Sequence, residues 1–262
     1  MEKRTRMLHT TLCREEVGKY AFLPGSPQRV NRIADSLEDP FFIAENREHR
    51  TFGGYLEGQL VLVTSTGMGG PSSCIALEEL TRLGTTTFIR IGTCSTTNPV
   101  VKRGDVVIAT GAVRMEGTSF HYAPVEFPAL PDFELLKLLI SSADNSGYPY
   151  HEGIIITRDS FYTQNEAELK PIGYELINKW NAYKAMGALA TEMECASIFI
   201  AAASLKVKAA GVMVCGTDYN QLDDERLKYP ISFEPRAIEV AVMAMRNAIS
   251  RDLKSDSSEN HD

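Results

Sequence analysis

Short apolar runs alternate along this chain with stretches of helical period. Residues 20–25 (YAFLPG), 58–66 (GQLVLVTST), 85–93 (TTTFIRIGT), 103–113 (RGDVVIATGAV), 153–157 (GIIIT) and 207–217 (VKAAGVMVCGT) are apolar and bounded by breakers, so they are predicted strands. Residues 71–84 (PSSCIALEELTRLG) read as a helix. Pro71 suits its first turn, Ile75, Leu77, Leu80 and Leu83 are its apolar positions, and Gly84 ends it. Residues 131–147, 194–206 and 235–253 are predicted helices as well. Such alternation predicts an α/β fold with helices on both faces of the sheet.

No internal repeat or Pro- or Ser-rich linker divides the chain, so one domain is expected over residues 1–253. The end, 254–262 (KSDSSENHD), is polar and expected to be disordered. The fold class expected is a single-domain, three-layer α/β/α arrangement with a mixed central sheet.

Composition changes this picture little. The chain has 262 residues, 44% hydrophobic and 23% charged, with a formal net charge of −7. That acidic balance argues against nucleic acid or an anionic membrane as a partner. No apolar run approaches the ~18 residues of a membrane span, and the N-terminus lacks a signal-peptide core. Cys13, Cys74, Cys94, Cys195 and Cys215 form no CxxC pair and have no accompanying histidine cluster. They read as reduced thiols of a cytoplasmic protein, with no metal site expected.

Chemistry is expected beyond the carboxyl ends of the strands. Four segments fall there: 23–29 (LPGSPQR), 65–73 (STGMGGPSS), 87–99 (TFIRIGTCSTTNP) and 191–197 (TEMECAS). Neither glycine-rich turn matches a Walker loop or a GxGxxG fingerprint, and either alone is more often just a turn. The glycines of 65–73 precede a helix start, whose free N–H groups favour an anion. Glu192 and Glu194 at a helix start can simply complement the helix dipole. Arg90 is the anomaly: a cation inside an apolar strand needs a negative partner. That partner is either a core glutamate, Glu78 for example, or an oxyanion ligand matched to the guanidinium fork.

Taken in order, PGSPQRV, NREHRTFGGYLEGQLVLVTSTGMGGPSSCIALEEL, FIRIGT, GDVVIATGAVRMEGTSFHYAPVEFPALPDFEL and EMECASIF resemble the hexameric nucleoside phosphorylases, and the uridine phosphorylase branch most closely. The resemblance spans roughly residues 23–214. It implies that inorganic phosphate, as co-substrate and with no further cofactor, displaces the base from a ribose. By residue matching it implies a phosphate site of Gly25, Arg29, Arg47, Arg90 and Thr93. Arg47 would reach into a neighbouring subunit. Met193 and Glu194 would hold the ribose, with His9 capping its 5′-hydroxyl across a dimer. Arg90, Thr93 and Glu194 would carry catalysis. Cys94, Ser95, Phe161, Gln164, Asn165, Glu192 and Cys215 would surround the base. A homodimer or homohexamer with shared sites, serving nucleoside salvage, is implied too. The reading requires the three arginines to converge on one anion beside a pentose.

The base subsite departs from that pattern. Ala167 and Gly216 stand where the branch carries arginines, Asp218 lies near the purine branch's aspartate, and Ser95 replaces a glycine. Three readings stay open: uridine phosphorolysis with uracil contacted by Gln164, Asn165, Lys170 or Asp218; phosphorolysis of a purine or modified nucleoside; or a catalytically weak nucleoside binder. A water-using nucleosidase is the same-fold rival, against which the arginine set argues.

Overall fold

The computed structural model describes residues 5–218 and 233–259. Nine strands form one mixed sheet: β1 (Tyr20–Pro24), β2 (Glu38–Asn46), β3 (His49–Leu56), β4 (Gln59–Thr64), β5 (Thr87–Thr96), β6 (Val106–Met115), β7 (Tyr150–Arg158), β8 (Ala190–Glu192) and β9 (Lys208–Asp218). Among the described residues, seven α-helices surround it: α1 (Pro27–Ala34), α2 (Gly70–Leu83), α3 (Phe133–Ser146), α4 (Phe161–Asn165), α5 (Gly173–Ala185), α6 (Cys195–Leu205) and α7 (Glu234–Glu259). The mixed α/β architecture is the one expected. The expected tail from 254 is taken up by α7 as far as Glu259, and 260–262 lie outside the described residues.

The order is β2-β3-β4-β1-β5-β8-β7-β6-β9, and β9 also pairs with β5. Five strands (β5, β8, β7, β6 and β9) therefore close into a circuit, a feature beyond a simple layered sheet. β5 is its hub. Along its first half it lies between β1 and β9, both parallel to it. Near its end β1 has stopped, and β8 joins instead, antiparallel, with Ser95 opposite Thr191. β7 runs beside β8 with Thr157 opposite Glu192. The carboxyl ends of β5 and β7 thus flank the short strand β8, at the place where the order of neighbours changes, which is where α/β sheets bind ligands.

Alternation along β5 divides the core. Phe88 and Cys94 belong to the apolar cluster that holds α2 and α6, while Ile89 and Ile91 belong to the cluster that holds α1, α3 and α7. α6 is buried along most of its length, from Cys195 to Ala202. α2 approaches it closely: a Cβ on Gly70 would fall 2.4 Å from Ser197 Oγ. Gly84 closes α2 in the left-handed region at φ 110°. No described helix is long and apolar enough to cross a membrane.

The chain before β1 is fastened to α2. Glu79, buried, accepts from His9 N (3.0 Å), Thr10 N (2.7 Å) and Thr10 Oγ1 (2.8 Å), and its Oε1 lies 2.7 Å from His9 Nδ1. Burial alone pushes its carboxyl up, but the Thr10 amide, the two side chains and the His9 amide outweigh it and hold the carboxyl below its usual range. A carboxyl lowered on folding stabilises above its unfolded pKa, and that contribution is lost as pH falls through the folded one.

Two outcomes are expected. Thermal unfolding of the wild type loses the Glu79 contribution on acidification below about pH 4, while Glu79→Gln starts less stable at pH 7 and has a shallower acid dependence. A Gly92→Ala methyl would fall 2.9 Å from both Arg90 Nη2 and Met213 Cγ. Urea denaturation should show it destabilised by about 1–3 kcal/mol through overpacking. Wild-type stability for that variant would refute the close fit.

Candidate active site

Arg90 enters the core from β5 and is 3% exposed. Its Nε donates to Glu192 Oε2 at 3.0 Å, and Nη2 contacts Glu192 and Glu194. Nη1 is buried and has no partner among the described residues. The guanidinium folds forward over Gly92, which has no Cβ to obstruct it. Of the two partners left open for this arginine, the structure supplies carboxylates, but not Glu78. That residue pairs with Arg82 and accepts from Tyr122 Oη. It lies four residues along α2 from Cys74, whereas Glu192 comes from β8 and Glu194 from the turn after it, which register alone could not reveal.

Glu192 is held firmly. It accepts from Thr157 Oγ1 (2.5 Å), Glu194 N (2.8 Å) and Cys195 N (3.0 Å). Its position before α6 therefore uses the free amides of that helix start, as the dipole reading allows, and the guanidinium besides. Glu194 accepts from Gly69 N at 2.6 Å. The glycine-rich approach to α2 thus does receive an anion, and within the chain that anion is Glu194. Burial raises the Glu194 carboxyl, with Arg90 opposing and Glu192 adding to the rise. Burial acts against the Arg90 cation, but Glu194 and Glu192 more than offset it and raise its pKa.

Arg29, also 3% exposed, rises from α1, whose start is capped by Ser26 with Pro27 in the first turn. Its Nε and Nη2 donate to Glu234 Oε1 at 3.1 and 2.9 Å, and Nη1 donates to Ile91 O at 3.2 Å. Arg32 joins the same glutamate. Two of the three arginines therefore end beside the Ile91–Gly92 step, but each is held by carboxylates. The third, Arg47, is exposed at the β2–β3 turn with φ 53°. Because Arg47 is expected to reach a neighbouring subunit's site, convergence of all three guanidinium groups is not something one chain can display. Arg29 and Arg90, both buried, take internal counter-charges, as a buried cation requires.

The remaining candidates divide. Gly25 lies in the turn between β1 and α1, where a Cβ would come 3.3 Å from Gly67 O. Thr93, Met193 and Ser95 are half-buried around the meeting strand ends, and Cys94 and Cys215 are buried opposite each other on β5 and β9. Hydrogen bonding to Cys215 and burial push the Cys94 thiol well up, and burial does the same to Cys195. Protonated thiols are poor nucleophiles. Phe161 is 46% exposed at the start of α4. Gln164 and Asn165 follow it, each with a buried side-chain oxygen unpartnered among the described residues. Ala167 is buried, and Lys170 pairs with Glu166. The side chain of Asp218 lies outside the described residues. His9 contacts Glu79 rather than Arg90, Glu192 or Glu194, and lines a cavity of about 580 Å³ between the N-terminal segment, α2 and Tyr122. No group of three metal-ligating side chains occurs among the described residues.

One buried residue escaped the sequence reading. Arg158 ends β7 at 4% exposure, next to Thr157, which serves Glu192. A second arginine interrupting the end of an apolar strand was the available signal.

The profile of the phosphorylase superfamily matches residues 19–250. Uridine phosphorylase of Treponema pallidum (strain Nichols) is 39% identical over 93% of this chain and 95% of its own length. That of Escherichia coli (strain K12) is 37% identical over 87% and 92%. Guanosine phosphorylase of Halorubrum lacusprofundi is 38% identical over 78% and 80%. With a profile covering nearly the whole fold and relatives matched almost end to end, the chain belongs to the phosphorylase superfamily.

Proposed function

We propose that this chain is a nucleoside phosphorylase that cleaves uridine with inorganic phosphate, giving uracil and ribose 1-phosphate. The observation that carries the reading is Arg90: a buried guanidinium at the end of the hub strand, with one donor unspent, beside a carboxylate able to exchange partners. A phosphate oxygen attacks the anomeric carbon, the bond from that carbon to the base nitrogen breaks, and the base leaves with the electron pair. The sugar passes through an oxocarbenium-like state that the adjacent phosphate anion stabilises.

Arg90 and Arg29, approaching the Ile91–Gly92 step, receive the phosphate with Gly25 and Thr93. Glu194 transfers its hydrogen bonds from Arg90 to the ribose hydroxyls, which frees the guanidinium fork for the anion. Met193 packs the sugar. Fixing sugar and nucleophile together turns binding energy into orientation. The exposed Arg47 and the N-terminal His9 act on a neighbouring subunit's site in a homo-oligomer. The setting proposed is nucleoside salvage in the cytoplasm. A second reading, a purine nucleoside as substrate, is favoured by the guanosine phosphorylase relative; an assay with guanosine beside uridine separates the two.

Two measurements test the proposal. Uracil release from uridine should require phosphate, and release at the same rate in its absence would make the chain a nucleosidase. Arg47→Ala and Glu194→Gln should each lower kcat/KM roughly 100-fold or more. Mixing the two inactive variants under conditions that exchange subunits should restore activity, because one site in a mixed pair then has Glu194 from its own chain and Arg47 from the neighbour. Mixtures as inactive as their parents would remove Arg47 from the shared site.

A further inference from the structure

His9 and Arg47, the two residues proposed to serve a neighbouring subunit, leave the chain at one corner. The side-chain amide of Asn46, the last residue of β2, donates to His9 O at 2.7 Å, and Arg47 follows in the hairpin turn. Met7 N donates to Leu12 O at 2.8 Å. That bond closes residues 7–12 into a loop, anchored by the fully buried Leu12 and carrying the exposed Leu8. His9 lies in this loop and lines the cavity of about 580 Å³ together with Arg82, His121, Tyr122 and Asp159.

What fixes the histidine is Glu79, in the last turns of α2. Its Oε1 accepts from His9 N at 3.0 Å and lies 2.7 Å from His9 Nδ1. Its Oε2 accepts from Thr10 N at 2.7 Å and from Thr10 Oγ1 at 2.8 Å. A carboxylate has about four acceptor positions, and residues 9 and 10 use all of them. Glu79 thus grips the main chain and the ring of one residue together, so the ring cannot turn away without loss of its partner. The carboxyl is held below its usual range and is ionised at neutral pH. An ionised carboxylate only accepts, so the contact requires the proton on His9 Nδ1. In a neutral imidazole that leaves Nε2 bare, as an acceptor.

We infer that Glu79 is a positioning residue of the reaction: it fixes His9 with Nε2 as a bare acceptor, which receives the hydrogen bond donated by the nucleoside's 5′-hydroxyl in the neighbouring subunit's site. The inference rests on the proposed phosphorolysis and its shared site for the identity of the ligand. What it adds is the carboxylate behind the histidine and the direction of the hydrogen bond. A bare acceptor held in place gains only from a donor. A nucleoside without the 5′-hydroxyl leaves Nε2 desolvated and unpartnered. A 5′-phosphate brings further acceptors, and negative charge, toward Glu79. The pair therefore selects nucleosides whose 5′-hydroxyl is free.

The test is calorimetric titration of the intact protein with uridine and with 5′-deoxyuridine, phosphate being withheld so that neither turns over. The wild type should bind uridine roughly 10- to 100-fold more tightly, as for a desolvated acceptor that loses its donor. Glu79→Gln keeps the shape of the side chain but replaces an acceptor oxygen by a donor, and should bring the two affinities within about threefold of each other. Equal weakening of both nucleosides is what a merely structural glutamate would give, and it overturns the inference. So does a preference for uridine that Glu79→Gln leaves intact, or none in the wild type. His9→Ala should abolish the same preference, with no further loss in the double variant; additive losses overturn the inference. A second readout needs no variant of Glu79 to fold. Nitrogen-15 spectra of histidine-labelled wild type at about pH 8.5, above the ordinary imidazole range, should show the His9 ring protonated at Nδ1 and bare at Nε2, and the opposite tautomer overturns the inference. Turnover is read apart. A wild type that prefers uridine through Glu79 but releases no uracil with phosphate keeps this inference and defeats the phosphorolysis reading.

Discussion

The structure is organised around one buried charge. Arg90 cannot be left unpaired in a core strand, and two glutamates answer it. Their placement fixes much else. Glu192 ties the arginine to β8, to Thr157 of β7 and to the first amides of α6. Glu194 ties it to the glycine approach of α2. Removing one partner of such a set leaves the others buried without compensation, at a cost of about 3–5 kcal/mol. The same network joins the ends of three strands and two helices.

Two ion clusters of opposite imbalance flank one step of β5. One guanidinium faces two carboxylates around Arg90, while one carboxylate faces two guanidiniums around Glu234. The first cluster has an excess of negative charge and the second an excess of positive charge, on either side of the same step in β5. Burial raises the Glu194 carboxyl, with the Arg90 guanidinium opposing that rise.

Much of the fold was legible because its central elements are continuous. The runs that became β1, β4, β5 and β9 and the helices α2, α3, α6 and α7 have periods that a single sequence displays. The β2–β3 hairpin was not read, because β2 is largely exposed, contains Pro40 and has shifted register. α1 was read only as a glycine turn, and α5 has few buried positions to mark a stripe. The closing of the strands depends on long-range pairing that no local pattern announces. At the site, Arg90 was visible as an anomaly, but its partners were not: Glu192 and Glu194 come from far along the chain. Ala167 could be read as a missing arginine through the resemblance, whereas Arg158 drew no reading, because its burial depends on Thr191 of a strand far along the chain.

The strand circuit has a consequence for how the molecule is made. β5 is synthesised in the first half of the chain, but the partner along its whole length is β9, which follows α1 to α6. Until β9 arrives, an apolar strand with an embedded cation has one open flank. Loop-closure entropy makes that last pairing slow relative to local helix formation. Sheet closure is therefore the long-range step of this fold, and the strand that carries the buried cation is the one whose flank it covers.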